Sequence, residues 1–224
     1  MKKFFVTIIL SAATAVLFAQ VQDKTRLNAY GMYVFDDKFD SYYDPYNYYN
    51  GTLKGSFQYG AGLEFMVSPH NCIELMWQHQ STTAPTEYYN GQVGGLKHAD
   101  FDVNIDYAMI GGDRHFAPPG SKAEGYGGLF LGMAFLGAKN TSGVNQSHNT
   151  ASKFAWGFRL GTNIWASEKV GIKLQAQLLS ISQGAGGGLY FGTGGVGAGV
   201  SSYSSVYQFQ LGGGLTFKLG GHKK

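Results

Sequence analysis

The chain has 224 residues, with 17 Lys and Arg against 14 Asp and Glu, and only 14% of its residues are charged. That fraction is far below the roughly 25% usual in soluble domains, and the near-neutral balance offers no basic face for nucleic acid. The single cysteine, Cys72, excludes an intramolecular disulfide framework and a metal site built from cysteines. The N-terminus opens with Lys2 and Lys3, followed by an apolar run from Phe4 to Phe18 that closes on Ala19. A basic start, a short apolar core and a small final residue match a secretory signal peptide, and the run is too short and wrongly flanked for a spanning helix. Cleavage after Ala19 divides the chain into a signal segment, 1–19, and a single domain, 20–224. With no cysteine at the cleavage point, a lipid anchor is not expected.

Eight alternating segments follow. The first is about Arg26–Phe35. In the second, Ser56–Val67, Phe57, Tyr59, Ala61, Leu63 and Phe65 alternate with Gln58, Gly60, Gly62 and Glu64. The third, Cys72–Ser81, sets Ile73, Leu75 and Trp77 opposite Glu74, Met76 and Gln78. The fourth sets Phe101, Val103, Ile105, Tyr107 and Met109 against Asp102, Asn104, Asp106 and Ala108. The fifth, about Tyr126–Ala138, is apolar on both faces. The sixth pairs Phe154, Trp156, Phe158 and Leu160 with Gly157, Arg159 and Gly161, and the seventh Val170, Ile172 and Leu174 with Gly171, Lys173 and Gln175. The eighth, Val206–Leu219, alternates Tyr207, Phe209, Leu211, Leu215 and Phe217 with Gln208, Gln210, Gly212, Gly214 and Thr216.

Period two means strands. The connections alternate between long segments (36–55, 82–100, 139–153, 182–205) and short turns (68–71, 117–123, 166–169). The polar faces are mostly Gly, Gln, Ser and Asn rather than Lys and Glu. Such a face packs inside a narrow barrel and is a poor surface for water. The predicted fold is therefore all-β: an eight-stranded antiparallel up-and-down transmembrane β-barrel with short periplasmic turns and long extracellular loops. The alternative, a soluble lipocalin-like barrel holding a ligand, turns the apolar faces inward.

The signal peptide, the eight alternating strands and the loop rhythm together resemble the small outer-membrane β-barrels that include the OmpX- and OmpA-type barrel domains. The stretch 186–199 with the last strand is similar to Bacteroidetes-type barrels. The resemblance implies an integral outer-membrane protein of the cell envelope, monomeric, in contact with outer-membrane lipid and lipopolysaccharide. It also implies delivery by the barrel-assembly machinery. Members usually end on an aromatic residue; here Gly220–Lys224 follow Leu219, so Phe217 takes that role internally.

With apolar faces outward, Glu64, Glu74, Asp102, Asp106, Arg159 and Lys173 fall inside, where opposite charges are expected to pair as an interior network. The first long loop carries Tyr42, Tyr43, Tyr46, Tyr48 and Tyr49 among Ser, Asn and Gly, the composition of a binding loop for an extracellular glycan or protein. A non-enzymatic structural or surface-recognition role follows, without cofactor or metal. Gly192–Gly197 formally matches G-x-G-x-x-G, but no helix pattern follows it. One enzymatic alternative remains. His79-Gln80-Ser81 resembles the lipid-facing His-x-Ser pair of the barrel-type lipid A deacylases, which also require a carboxylate. Parity turns Asp100 and Asp102 inward and leaves Glu87 in a loop, so that alternative lacks its third member.

Overall fold

A computed structural model describes residues 25–44, 47–90, 95–141, 148–182, 188–192, 195–199 and 206–219. The signal segment lies outside them. Twelve strands run β1 (Thr25–Val34), β2 (Asp37–Asp44), β3 (Asn47–Leu53), β4 (Ser56–Met66), β5 (Asn71–Asn90), β6 (Leu96–Phe116), β7 (Ala123–Asn140), β8 (His148–Trp165), β9 (Val170–Ile181), β10 (Gly188–Gly192), β11 (Gly195–Gly199) and β12 (Val206–Leu219). Eight of them, β1, β4, β5, β6, β7, β8, β9 and β12, form one antiparallel meander. β12 returns to β1, with Thr25 opposite Leu219, and so closes the barrel. Full closure leaves no open sheet edge in the wall, the condition for a strand structure in lipid.

The three short connections of the sequence pattern are turns at one rim, where β1 also begins at Thr25 and β12 finishes at Leu219. The turn after β6 contains Gly120 at φ +75°, a conformation that favours glycine. The other rim carries the long segments. The first of these is not a loop: β2 and β3 form a hairpin, and Asn47–Gly51 of β3 pairs with Thr86–Asn90 of β5. The second, between the third and fourth barrel strands, is mostly strand as well, because β5 and β6 run 20 and 21 residues. β10 and β11 form a hairpin within the last. Since about 9–11 residues span a bilayer, β5 to β8 make a tall wall that projects beyond it, and β9, β12, β1 and β4 a shorter one.

The outward faces form an apolar belt: Leu75, Leu129 and Leu160 are 49%, 68% and 63% exposed. Inside, three layers stack from the short-turn rim upward. The lowest is charged. Glutamines dominate the middle, where Gln177 Nε2 donates to Gln78 Oε1 at 3.2 Å and Gln208 Nε2 to Gln80 Oε1 at 2.7 Å. The top is an apolar core of Phe101, Val103, Ile105, Ala84, Ala138 and Ile181.

One strand departs from the parity expected of it. In β6 the apolar set Phe101, Val103, Ile105, Tyr107 and Met109 is buried inside the barrel, while Asp102 and Asn104 are exposed and Asp106 half-exposed on the outer wall. Asp102 and Asp106 are therefore not interior residues. The upper part of β6 stands above the belt with water outside it, so it obeys the rule of a soluble sheet, apolar inward and polar outward.

Candidate functional site

Glu64, Glu74, Arg159 and Lys173 meet in the lowest interior layer. Arg159 is fully buried; its Nη2 is paired with Glu74 and Asp113, and its Nη1 donates to Tyr30 Oη at 3.0 Å. Lys173 Nζ lies 3.5 Å from Glu64 Oε2. Four further members come from positions that the sequence pattern did not single out: Arg26, Asp113, His115 and Glu124. Arg26 bridges Glu64 at 3.2 Å and Glu124 at 3.0 Å. Glycines make the room, since a Cβ at Gly62 or Gly128 would fall onto the carboxylates of Glu74 and Asp113. With its guanidinium also over the Phe130 ring at 4.5 Å, Arg159 fills the bore. The arrangement plugs the barrel, as expected when only eight strands enclose the space.

A second cluster sits on the outer wall. His79 and Ser81 are two residues apart on β5, so they share the outward face. Register sets Asp106 of β6 directly opposite His79, and Asn104 directly opposite Ser81. His79 Nδ1 is 2.9 Å from Asp106 Oδ1, and His79 Nε2 is 3.1 Å from Ser81 Oγ. Ser81 Oγ also donates to Asn104 Oδ1 at 2.7 Å. A hydroxyl, an imidazole and a carboxylate thus stand in relay order, each within hydrogen-bond reach of the next. The imidazole is packed between aromatic neighbours on the same wall, with ring centroids 5.3 Å from Tyr59 and 6.3 Å from Trp77. Side chains of His79 and Asp106 are 20% and 40% exposed, so the relay is open to the barrel's surroundings.

The height of this cluster matters. Ser81 is ten residues above the start of β5, which at about 3.3 Å per residue and a tilt near 40° is roughly 25 Å, the height of an apolar band. Below it on the outer wall are Trp77, Leu75 and Ile73; above it are Thr83, Asp102 and Asp100. The relay therefore lies where lipid gives way to water. Immediately beneath, an apolar groove of about 580 Å³ runs down the wall, lined among others by Trp77, Leu75, Ala108, Ile110 and Leu131. The small side chains of Ala61 and Ala108 on either side of Trp77 leave that space.

Parity placed His79 and Ser81 on the lipid side but turned Asp106 away from them. The missing carboxylate is present because β6 carries its polar residues outward at this height. The tyrosine segment of the first long loop is in a different position. The backbone of Tyr42 and Tyr43 lies in β2 and that of Tyr48 and Tyr49 in β3. Tyr46 and the side chains of all five fall outside the described residues.

No protein-family model matches the chain, and no curated protein matches it. Among solved structures it is similar to Neisserial surface protein A, at 12% identity over 87% of this chain and 96% of that one, with a TM-score of 0.50. It is equally similar to the outer membrane protein OprG from Pseudomonas aeruginosa, at 12% identity, 87% and 96% coverage and a TM-score of 0.50. The outer membrane protease OmpT from Escherichia coli matches at 8% identity, 87% and 78% coverage and a TM-score of 0.50. At these identities the likeness is one of fold. Closure, an apolar belt and these neighbours agree that the chain is built as a small outer-membrane β-barrel.

Proposed function

We propose that this barrel, which has the fold of the small outer-membrane proteins, lies in the outer membrane and hydrolyses an ester-linked acyl chain of an outer-leaflet lipid. The observation that carries the reading is the Ser81–His79–Asp106 relay on the lipid-facing wall at the top of the apolar belt. Ser81 Oγ attacks the ester carbonyl while His79 Nε2 takes its proton, and Asp106 holds His79 Nδ1–H and steadies the imidazolium. The tetrahedral intermediate collapses to an acyl-serine, and His79 returns the proton to the departing alcohol. A water molecule, deprotonated by His79, then releases the fatty acid. Ser81 Oγ donates to Asn104 Oδ1; turned over about its amide, Asn104 presents Nδ2–H to Ser81 Oγ and leaves the hydroxyl proton for His79 Nε2. The groove below Ser81 takes the acyl chain without lifting it from the membrane.

Mass spectrometry of outer-membrane lipids tests this. Cells expressing the wild-type chain are expected to lose one acyl chain from a lipid A or phospholipid species, and cells expressing Ser81→Ala at equal barrel level to retain it. Identical acylation in both removes the hydrolase reading.

A second reading rests on a separate observation. The β2–β3 hairpin extends the β5 wall above the membrane, so the backbone of the tyrosine-rich segment is held in a sheet rather than a loose loop. That suits recognition of an extracellular glycan or protein. Unchanged adhesion of cells after replacing residues 42–49 by a Gly-Ser linker would remove its basis.

A further inference from the structure

At the opposite end of the barrel, independent of the hydrolase reading, three potential ligands converge from three strands: Glu64 of β4, Cys72 of β5 and His115 of β6. Their ligand atoms all lie within 4.8 Å of one another, and all three residues are buried. Cys72 Sγ is 3.5 Å from His115 Nε2, and His115 Nε2 is 3.4 Å from Glu64 Oε1. A tetrahedral zinc ion with ordinary bond lengths needs edges of about 3.5 Å between sulfur and nitrogen and about 3.3 Å between nitrogen and oxygen. We infer that Glu64, Cys72 and His115 form a site for a divalent, thiolate-accepting cation such as zinc in the periplasmic half of the barrel.

Other features of the cluster favour a cation over simple packing. Glu64 Oε1 is fully buried and receives no hydrogen bond of good geometry, although Arg26 Nη1 approaches to 3.2 Å. Its partner Oε2 is the atom that Asn28 and Lys173 hold, so Oε1 is the one turned toward His115. The second ring nitrogen, His115 Nδ1, lies 3.3 Å from Glu124 Oε1 without a hydrogen bond of good geometry, beside a carboxylate of the kind that orients metal-bound histidines. A recess of about 300 Å³ at the short-turn rim is lined by His70, Arg114, His115 and Phe116, next to the cluster.

Cobalt(II) titration of the purified, folded barrel provides the test. A thiolate-to-cobalt charge-transfer absorption requires a cysteine ligand, and this chain has only Cys72. The expected result is that absorption at one cobalt per barrel, displaced by zinc(II). Cys72→Ser should lose it. Glu124→Gln should bind about 10–100-fold more weakly, the usual penalty for removing the group that orients a ligand, and His115→Gln more weakly still. Folding of each variant is checked by its heat-dependent gel mobility, and if a variant does not fold the wild-type spectrum alone decides. Absence of the charge-transfer absorption in wild type, or equal cobalt affinity in folded Cys72→Ser, would overturn the site and leave a thiol–imidazole hydrogen bond as the role of the pair.

Discussion

The two halves of β6 follow opposite rules. From Ala108 to Phe116, Ala108, Ile110 and Phe116 point out and Asp113 and His115 point in; from Phe101 to Asp106 the apolar residues point in and Asp102, Asn104 and Asp106 point out. The side-chain direction never slips, because the same odd-numbered positions face the interior throughout. What changes is the medium outside the wall. Against lipid the outward residue must be apolar and the interior carries the polar groups; against water a soluble-type core fills the interior. The interior changes to match, from charged and glutamine-rich beside lipid to apolar beside water. The reversal falls at Asp106, and that is where the Ser81–His79–Asp106 relay stands. A carboxylate is tolerated on the outer wall only at or above the lipid–water boundary, so the boundary itself selects the place for such a relay.

Arg159→Met in the lower interior is expected to cause the largest change. It strands Glu74 and Asp113 without their buried partner and should cost about 3–5 kcal/mol, read as the unfolding free energy of the barrel in lipid vesicles. The two halves of the outer wall are compared next. Ile110→Arg, near the middle of the belt, should cost about 2–4 kcal/mol, because a lipid-facing charge is penalised most there. Asn104→Arg, six residues along the same face but above the boundary, should stay within about 0.5 kcal/mol. Equal costs would mean that lipid covers both.

The smallest effect lies beyond the membrane, at the root of the β2–β3 hairpin. Asp36 accepts hydrogen bonds from Gly55 N at 2.7 Å and Lys54 Nζ at 3.3 Å, and these hold its carboxyl below the usual 3.8. Because the folded-state value is depressed, its support is complete above 3.8 and is lost as pH falls through the lower folded value. Hydrogen exchange at Gly55 should therefore rise only on strong acidification in wild type, and at neutral pH already in Asp36→Asn.

Most of the barrel was legible because lipid-facing strands advertise themselves. The eighth strand, with Tyr207, Phe209 and Leu211 opposite Gln208 and Gln210, was delimited at Val206–Leu219 from alternation alone. Alternation cannot say which side faces in, and a single orientation rule applied to every strand misplaced Asp102 and Asp106. Their positions depend on how far β5 and β6 rise above the belt, which no local pattern encodes. Two of the three relay members, His79 and Ser81, were visible two apart on one strand, whereas Asp106 needed the cross-strand register. Glu64, Cys72 and His115 come from three strands, so no ligand spacing along the chain could have revealed them. Arg26 and Glu124 lie at strand ends, where the pattern is weakest.

The most direct test of the central claim is labelling of the folded barrel by a lipid-tailed fluorophosphonate, with the modified residue mapped by mass spectrometry. Covalent labelling at Ser81, slowed about 10²–10⁴-fold in Asp106→Asn and absent in Ser81→Ala, is the predicted result. A wild-type barrel that remains unlabelled at Ser81, or that labels equally with Asp106→Asn, would contradict a working relay on the outer wall.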